Sequence, residues 1–414
     1  MQSSINNKLK NYLTITAGYW AFTLTDGAIR MLVVLYFHML GYSAFEVAML
    51  FLFYEFFGIV TNLMGGWLGA RLGLNVTMHI GMALQIVALL LLTVPDYLLS
   101  VIYVMFAQAL SGIAKDLNKM SAKAGVKTLL SDISDNNKQD STLFKWVAVL
   151  TGSKNALKGM GYFLGAFLLD LAGFRNALFI LAGGLFLVFI TTLILLPKDI
   201  GKSKSKAKFS QIFSNTAAIN WLSAARFFLF GSRDVWFVVA LPVFLVEVAN
   251  WSFTQVGTFM AAWIIGYGIV QALTPKVLNK NSKNTPTGFT AKFLAYLLAL
   301  IPAGIALALM QNDNLQTASQ FTSNAEIILI AGLLIFGILF AINSAVHSYL
   351  ILAYADNDKV SMNVGFYYMA NAAGRLTGTV LSGLIYQNHG LIGCLWVSAG
   401  FVFIAGVLSV RLPR

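Results

Sequence analysis

The 414-residue chain is 58% hydrophobic and 11% charged, with a net charge of +12 and a mean hydropathy of +0.75. That much apolar sequence is enough for roughly twelve membrane-spanning helices of about 20 residues each, which excludes a water-soluble enzyme and a disordered chain. Basic residues sit mostly in short loops, so the positive charge does not point to nucleic acid. A single cysteine, Cys394, leaves no disulfide framework and no thiolate cluster for a soft metal.

In chain order, Met1 to Asn11 is polar, carries Lys8 and Lys10 and has no small-residue cleavage site, so it reads as a cytoplasmic tail. Apolar stretches follow at roughly 12–39, 44–69, 75–94, 97–119, 143–169 and 174–196. After a break come 216–246, 253–273, 291–310, 326–352, 361–386 and 391–410. The expected fold is an all-α membrane protein of twelve transmembrane helices in two six-helix halves, 1–196 and 216–414. Between them, residues 197–215 hold Lys198, Lys202, Lys204, Lys206 and Lys208 against Asp199 alone and read as a basic cytoplasmic linker. Most of the 28 lysines and arginines fall inside if both termini are cytoplasmic, with Arg175 outside. The expected place is the inner (plasma) membrane.

The halves repeat. Tyr42-Ser43 with Val47 matches Trp251-Ser252 with Val256, and Gly58-Ile59-Val60 with Leu63 matches Gly268-Ile269-Val270 with Leu273. Lys158, Gly161 and Gly173 match Arg375, Gly378 and Gly390. Such a parallel duplication resembles the major facilitator superfamily. Gly66-Trp67-Leu68-Gly69-Ala70-Arg71-Leu72-Gly73 resembles that superfamily's loop signature, with Ala70 in place of its aspartate and Leu74-Asn75 in place of its basic pair.

Ionisable groups in a bilayer need a partner, water or a task. Nine basic residues lie within or at the edge of apolar stretches: Arg30, Lys115, Lys119, Lys145, Lys154, Lys158, Arg226, Arg233 and Arg375. Only Asp26, Glu55, Asp116 and Asp234 oppose them. Lys119 and Lys145 sit near span ends and can snorkel to water. Helical spacing puts Lys154 and Lys158 on one face with Asn155 and Thr151; it likewise joins Arg226 with Arg233, and Asn371 with Arg375. Asp26 and Arg30, four apart, can form a structural ion pair. Asp234 points about 100° away from Arg233 and is expected to pair with another helix. Glu55 reads as an isolated mid-span carboxylate suited to proton coupling, or as a buried acid paired with a lysine. His347, one turn from Asn343, lines the cavity or sits satisfied between helices; His38, His79 and His389 suit interface positions.

Arginine forks with lysine point charges suit a multiply charged oxyanion. The expected binding set is Arg30, Lys154, Asn155, Lys158, Arg226, Arg233, Asn371 and Arg375. Asp26, Glu55, Lys115, Asp116, Asp234 and His347 are candidates for substrate contact or coupling. No nucleotide-phosphate loop, metal cluster or nucleophile set stands out, so neither enzyme chemistry nor a cofactor is expected. A transporter or exchanger of another organic phosphate or inorganic anion fits the same residues. A non-transporting receptor or scaffold would call for large extramembrane loops.

Six blocks carry a closer resemblance: Asp26–Met31, Tyr54–Asn62, Ser111–Leu117 with Lys119–Lys123, Thr151–Gly159, Ser223–Gly231 with Arg233–Trp236, and Ala373–Leu376. Together they resemble the organoarsenical efflux permeases of the ArsJ type, a branch of the major facilitator superfamily. The resemblance implies export of 1-arseno-3-phosphoglycerate, the ester that glyceraldehyde-3-phosphate dehydrogenase makes when arsenate replaces phosphate, and hence arsenate resistance. It makes that dehydrogenase a functional partner, not a physical one. A chain with one cysteine fits an oxyanion ester better than thiophilic trivalent arsenic.

Overall fold

A computed structural model describes residues 2–72, 74–129, 136–196, 216–278, 286–311, 323–354 and 360–413, and among them the secondary structure is entirely helical. In order these are α1 (Gln2–Met39), α2 (Ala44–Met49), α3 (Leu52–Leu72), α4 (Leu74–Leu91), α5 (Val101–Leu129), α6 (Asn136–Leu195), α7 (Ala217–Phe237), α8 (Ala240–Glu247), α9 (Phe253–Leu278), α10 (Gly288–Met310), α11 (Ser323–Ala353) and α12 (Val360–Ser409). A 3₁₀ turn at Asp96–Leu98 precedes α5. Helices satisfy their backbone polar groups internally, which is what a hydrocarbon solvent demands of so apolar a chain.

Among the described residues, eight helical stretches are long and apolar enough to cross a membrane, against the twelve spans expected of the whole chain. Three features explain the difference. The apolar stretches of 43 and 45 residues in α6 and α12 each span a non-helical break, at Gly173 and Gly390, where the sequence places a division between two stretches. The apolar part of α4, Asn75–Leu91, is short. Charge from Lys115, Asp116 and Lys119 lowers the hydropathy of α5.

The repeat matches have local physical causes. Ser43 opens α2 with a reciprocal capping box: the Glu46 amide donates to the Ser43 hydroxyl at 3.3 Å and the Ser43 amide donates to the Glu46 carboxylate at 2.9 Å. Ser252 and Gln255 do the same before α9, at 3.2 and 2.8 Å. Gly173 (φ 75°) and Gly390 (φ 62°) interrupt α6 and α12 with left-handed backbone that a Cβ would strain.

Close approach then sets the packing. A Cβ at Gly161 or Gly165 would collide with the Leu24 and Ala28 carbonyls of α1, and one at Gly374 or Gly378 with the Phe227 and Gly231 carbonyls of α7. So α6 lies against α1, and α12 against α7. Two further contacts join the first part of the chain to the second. Gly257 of α9 sits on Tyr162 and Ala166 of α6, and Gly383 of α12 sits on Ala44, Phe45 and Ala48 of α2. Near these contacts the Thr254 amide donates to Asp170 at 3.0 Å, and His38 lies 3.5 Å from Glu247. At the opposite end the Pro413 carbonyl accepts from the Gly288 amide (3.1 Å) and from the Tyr354 hydroxyl (3.2 Å).

Candidate functional site: a basic cavity

A cavity of about 230 Å³ lies among α1, α5, α6, α7, α9 and α12. Eight cationic side chains line it: Arg30, Lys115, Lys119, Lys154, Lys158, Arg226, Arg233 and Arg375. Asp26, Asp116 and Asp234 line it too, together with Asn155 and Asn371. All eight residues of the expected binding set therefore face one space. Of the six further candidates, Asp26, Lys115, Asp116 and Asp234 join them.

Glu55 and His347 do not line the cavity. Glu55 is fully buried behind its wall, where one oxygen, Oε1, accepts from Arg30 at 2.7 Å and from Arg375 at 2.6 Å. It is thus no isolated carboxylate but the counterion of two arginines. His347 is fully buried, and neither ring nitrogen has a hydrogen-bond partner among the described residues.

The ion pairs differ from those spacing suggests. Asp26 does not pair with Arg30. Its Oδ1 accepts from the Tyr54 hydroxyl of α3 at 2.6 Å, and its Oδ2 lies 4.0 Å from Lys158 of α6, so its partners come from other helices. Asp234 bonds in two directions. Its Oδ1 accepts from Arg233 Nε at 2.6 Å despite the angular offset of sequence neighbours, since the long arginine side chain curls back, and its Oδ2 accepts from Arg375 Nε at 3.0 Å. Lys119 does not snorkel outward: it points into the cavity, donating to Asn62 at 2.9 Å and lying 3.6 Å from Asp116. Lys115 stacks over the Tyr54 ring at 4.0 Å. The side chains of Thr151, Lys145 and the Gly66–Gly73 motif, and the 197–215 linker, lie outside the described residues.

Arg226 is held differently. Nε donates to Asn371 at 2.9 Å, Nη1 donates to the Ser344 carbonyl and hydroxyl at 3.2 Å each, and the guanidinium covers Phe230 at 3.8 Å. Among the described residues it meets no carboxylate. Several lining residues escaped the sequence reading, including Tyr19, Asn62, Tyr162, Tyr267, Gln271 and Tyr368. A weak sign existed for Asn62 alone, which ends one of the resemblance blocks. The Asn155 amide donates to Gln271 at 3.2 Å, joining α6 to α9 across the cavity.

Residues 15–317 match the sequence profile of the Major Facilitator Superfamily. The chain belongs to that superfamily. It is therefore a multi-pass membrane transporter of the major facilitator type. Among solved structures, it is similar to the nucleoside transporter NupG, in a mutant form, at 13% identity and TM-score 0.71, over 98% of this chain and 99% of that one. A POT family transporter in complex with 5-aminolevulinic acid matches at 13% identity and TM-score 0.74, over 96% and 94%. A structure described under substrate recognition in proton dependent oligopeptide transporters matches at 15% identity and TM-score 0.71, over 97% and 96%. At such identities the likeness is one of fold. No curated protein matches the chain.

Proposed function

We propose that this transporter exports a small organic oxyanion by alternating access, and that the substrate its residues suit best is 1-arseno-3-phosphoglycerate. The observation that carries the reading is the charge around the cavity: eight cations against three lining carboxylates and Glu55 behind them. Among the described residues these cations outnumber the carboxylates beside them, and a bound polyanion would balance the excess. Among the described residues Arg226 has neutral partners only, so an oxyanion there competes with no acid of that set. The space, about 230 Å³, lies below the ~300–1,000 Å³ of pockets for drug-sized ligands and suits a three-carbon ester.

The transport cycle in this reading rocks residues 1–196 against 216–414 in the inner membrane, with 197–215 as the cytoplasmic linker and both termini cytoplasmic. Dividing α6 and α12 at Gly173 and Gly390, and joining α2 to α3 and α7 to α8, gives the twelve spans of such a cycle. A negative-inside potential favours anion exit by about 2.3 kcal/mol per charge per 100 mV, so export needs no further driving ion. Glyceraldehyde-3-phosphate dehydrogenase supplies the ester, and its expulsion confers arsenate resistance.

The test is uptake into everted membrane vesicles, with the ester made in place from glyceraldehyde-3-phosphate, NAD, arsenate and the dehydrogenase. Arsenic accumulating only when all four are present supports the reading. Replacing arsenate by phosphate tests the alternative, since both esters are tetrahedral oxyanions of similar size. Uptake of the phosphate ester or of inorganic anion alone, at equal or greater rate, would reassign the substrate to that class.

A further inference from the structure

The cations of the cavity differ in what neutralises them. Arg30, Arg233, Arg375, Lys119 and Lys158 each meet a carboxylate at 4.0 Å or less. Among the described residues Arg226 and Lys115 meet none. Lys115 sits on α5 one turn before Lys119, with its ammonium 4.0 Å over the Tyr54 ring of α3. The acids nearest it are engaged elsewhere. Asp116 accepts from Thr61 at 3.0 Å and lies 3.6 Å from Lys119, and Glu55 holds two arginines. An aromatic face steadies a cation without cancelling its charge. Lys115 is therefore in the condition of Arg226, lining the cavity beside neutral partners. The two come from opposite parts of the chain, α5 before the 197–215 linker and α7 after it, and share no partner among the described residues. Adjacent tyrosines of α12 stand between them. The Arg226 guanidinium lies 5.1 Å from the Tyr367 ring, that ring lies 5.5 Å from Tyr368, and Tyr368 lies 4.7 Å from the Lys119 ammonium. Positive charge divided in this way suits a ligand with an anionic group at each end better than one with its charge at a single centre.

We propose that Arg226 and Lys115 are the two ends of the anion site, and that the ligand it selects is a short chain with a tetrahedral oxyanion at each end. The inference rests on the anion reading of the cavity and deepens it. Arg226 takes one end through its planar fork, and Lys115 gives a point charge to the other. A ligand held so ties α5 to α7 across the cavity. Lys115 is then the residue that tells a doubly ended anion from a singly ended one. A monoester on Arg226 leaves Lys115 over the Tyr54 ring, whereas a second oxyanion exchanges that ring contact for a charge-assisted hydrogen bond.

The test is calorimetric binding of three ligands to the purified transporter: propanediol bisphosphate, phosphorylated at both ends; glycerol phosphate, phosphorylated at one; and inorganic pyrophosphate. The bisphosphate should bind about 10–100-fold tighter than the monophosphate, the worth of one further hydrogen bond between charged groups. Pyrophosphate, whose two phosphorus centres share an oxygen, should fall short of the bisphosphate. Lys115→Gln should bring the ratio of bisphosphate to monophosphate affinity close to one, and Lys115→Arg should keep it high. Equal affinities in the parent, pyrophosphate binding as tightly as the bisphosphate, or an unchanged ratio in Lys115→Gln overturns the two-ended site and leaves the anion reading standing. A parent that binds none of the three overturns both. Should Lys115→Gln fail to fold, the three ligands on the parent decide.

Discussion

Arg375 and Arg226 line the same cavity from neighbouring helices, α12 and α7, and are held in opposite ways. Arg375 is gripped by two carboxylates, Glu55 at 2.6 Å and Asp234 at 3.0 Å, and through Glu55 it ties α12 to α3. Arg226 has amide, hydroxyl, carbonyl and ring partners, and among the described residues no acid. The difference teaches that mid-membrane position alone does not mark a substrate contact. A cation already neutralised by buried acids contributes mainly to holding helices together. One without a counterion keeps its charge for a ligand.

The largest effect should come from the acid that two arginines share. Glu55→Leu leaves Arg30 and Arg375 without their common counterion, and breaking a buried pair costs about 3–5 kcal/mol. Melting in detergent should show a large loss of stability, whereas Glu55→Gln, which keeps a hydrogen-bonding oxygen, should retain measurable efflux under a membrane potential. Complete loss of efflux in a well-folded Glu55→Gln protein would make Glu55 a coupling group instead.

Arg226→Gln should leave folding intact and weaken anion binding by 10–100-fold, roughly the 1.5–3 kcal/mol of a charged hydrogen bond. If titration calorimetry finds unchanged affinity, the contrast between the two arginines collapses.

Charge exchange separates real pairs from sequence-adjacent ones. Swapping Arg30 with Glu55 should restore part of the stability that either single reversal loses, since they touch at 2.7 Å. Swapping Asp26 with Arg30 should restore none, because Asp26 answers to Tyr54 and Lys158. Recovery in the second exchange would show a pairing absent here.

The smallest effect compares the two parts of the chain directly. Ser43→Ala and Ser252→Ala each remove one side of a capping box, and each should cost about 1 kcal/mol in thermal melts. Unequal costs would mean that the two caps, alike in sequence, do unequal work.

Much of this was legible in the sequence where cause and effect lie close along the chain. The polar face of Lys154, Asn155 and Lys158 is such a short-range signal, while the matches of Ser43 to Ser252 and of Gly173 to Gly390 show as a repeat between the halves. Gly173 and Gly390 fall in the gaps the sequence leaves between apolar stretches, but their left-handed backbone was not legible, since a glycine there fits a close contact as well. The partners of the buried acids were hidden for a different reason. Glu55 meets Arg30 and Arg375 across 25 and 320 residues, and no local period encodes a contact made only by helix packing. For the same reason Glu55 looked isolated and Asp26 looked paired to its neighbour one turn on.

In the proposed reading, the excess of cations over carboxylates among the described residues of the cavity selects a polyanion. The most direct measurement is binding of a phosphate monoester of glycerol, and of glycerol itself, to the purified transporter and to Arg226→Gln. The parent should bind the dianionic ester and not the neutral alcohol, its affinity should fall as salt is raised, and Arg226→Gln should lose the preference. Equal binding of ester and alcohol by the parent, or a preference that survives in Arg226→Gln, would contradict it.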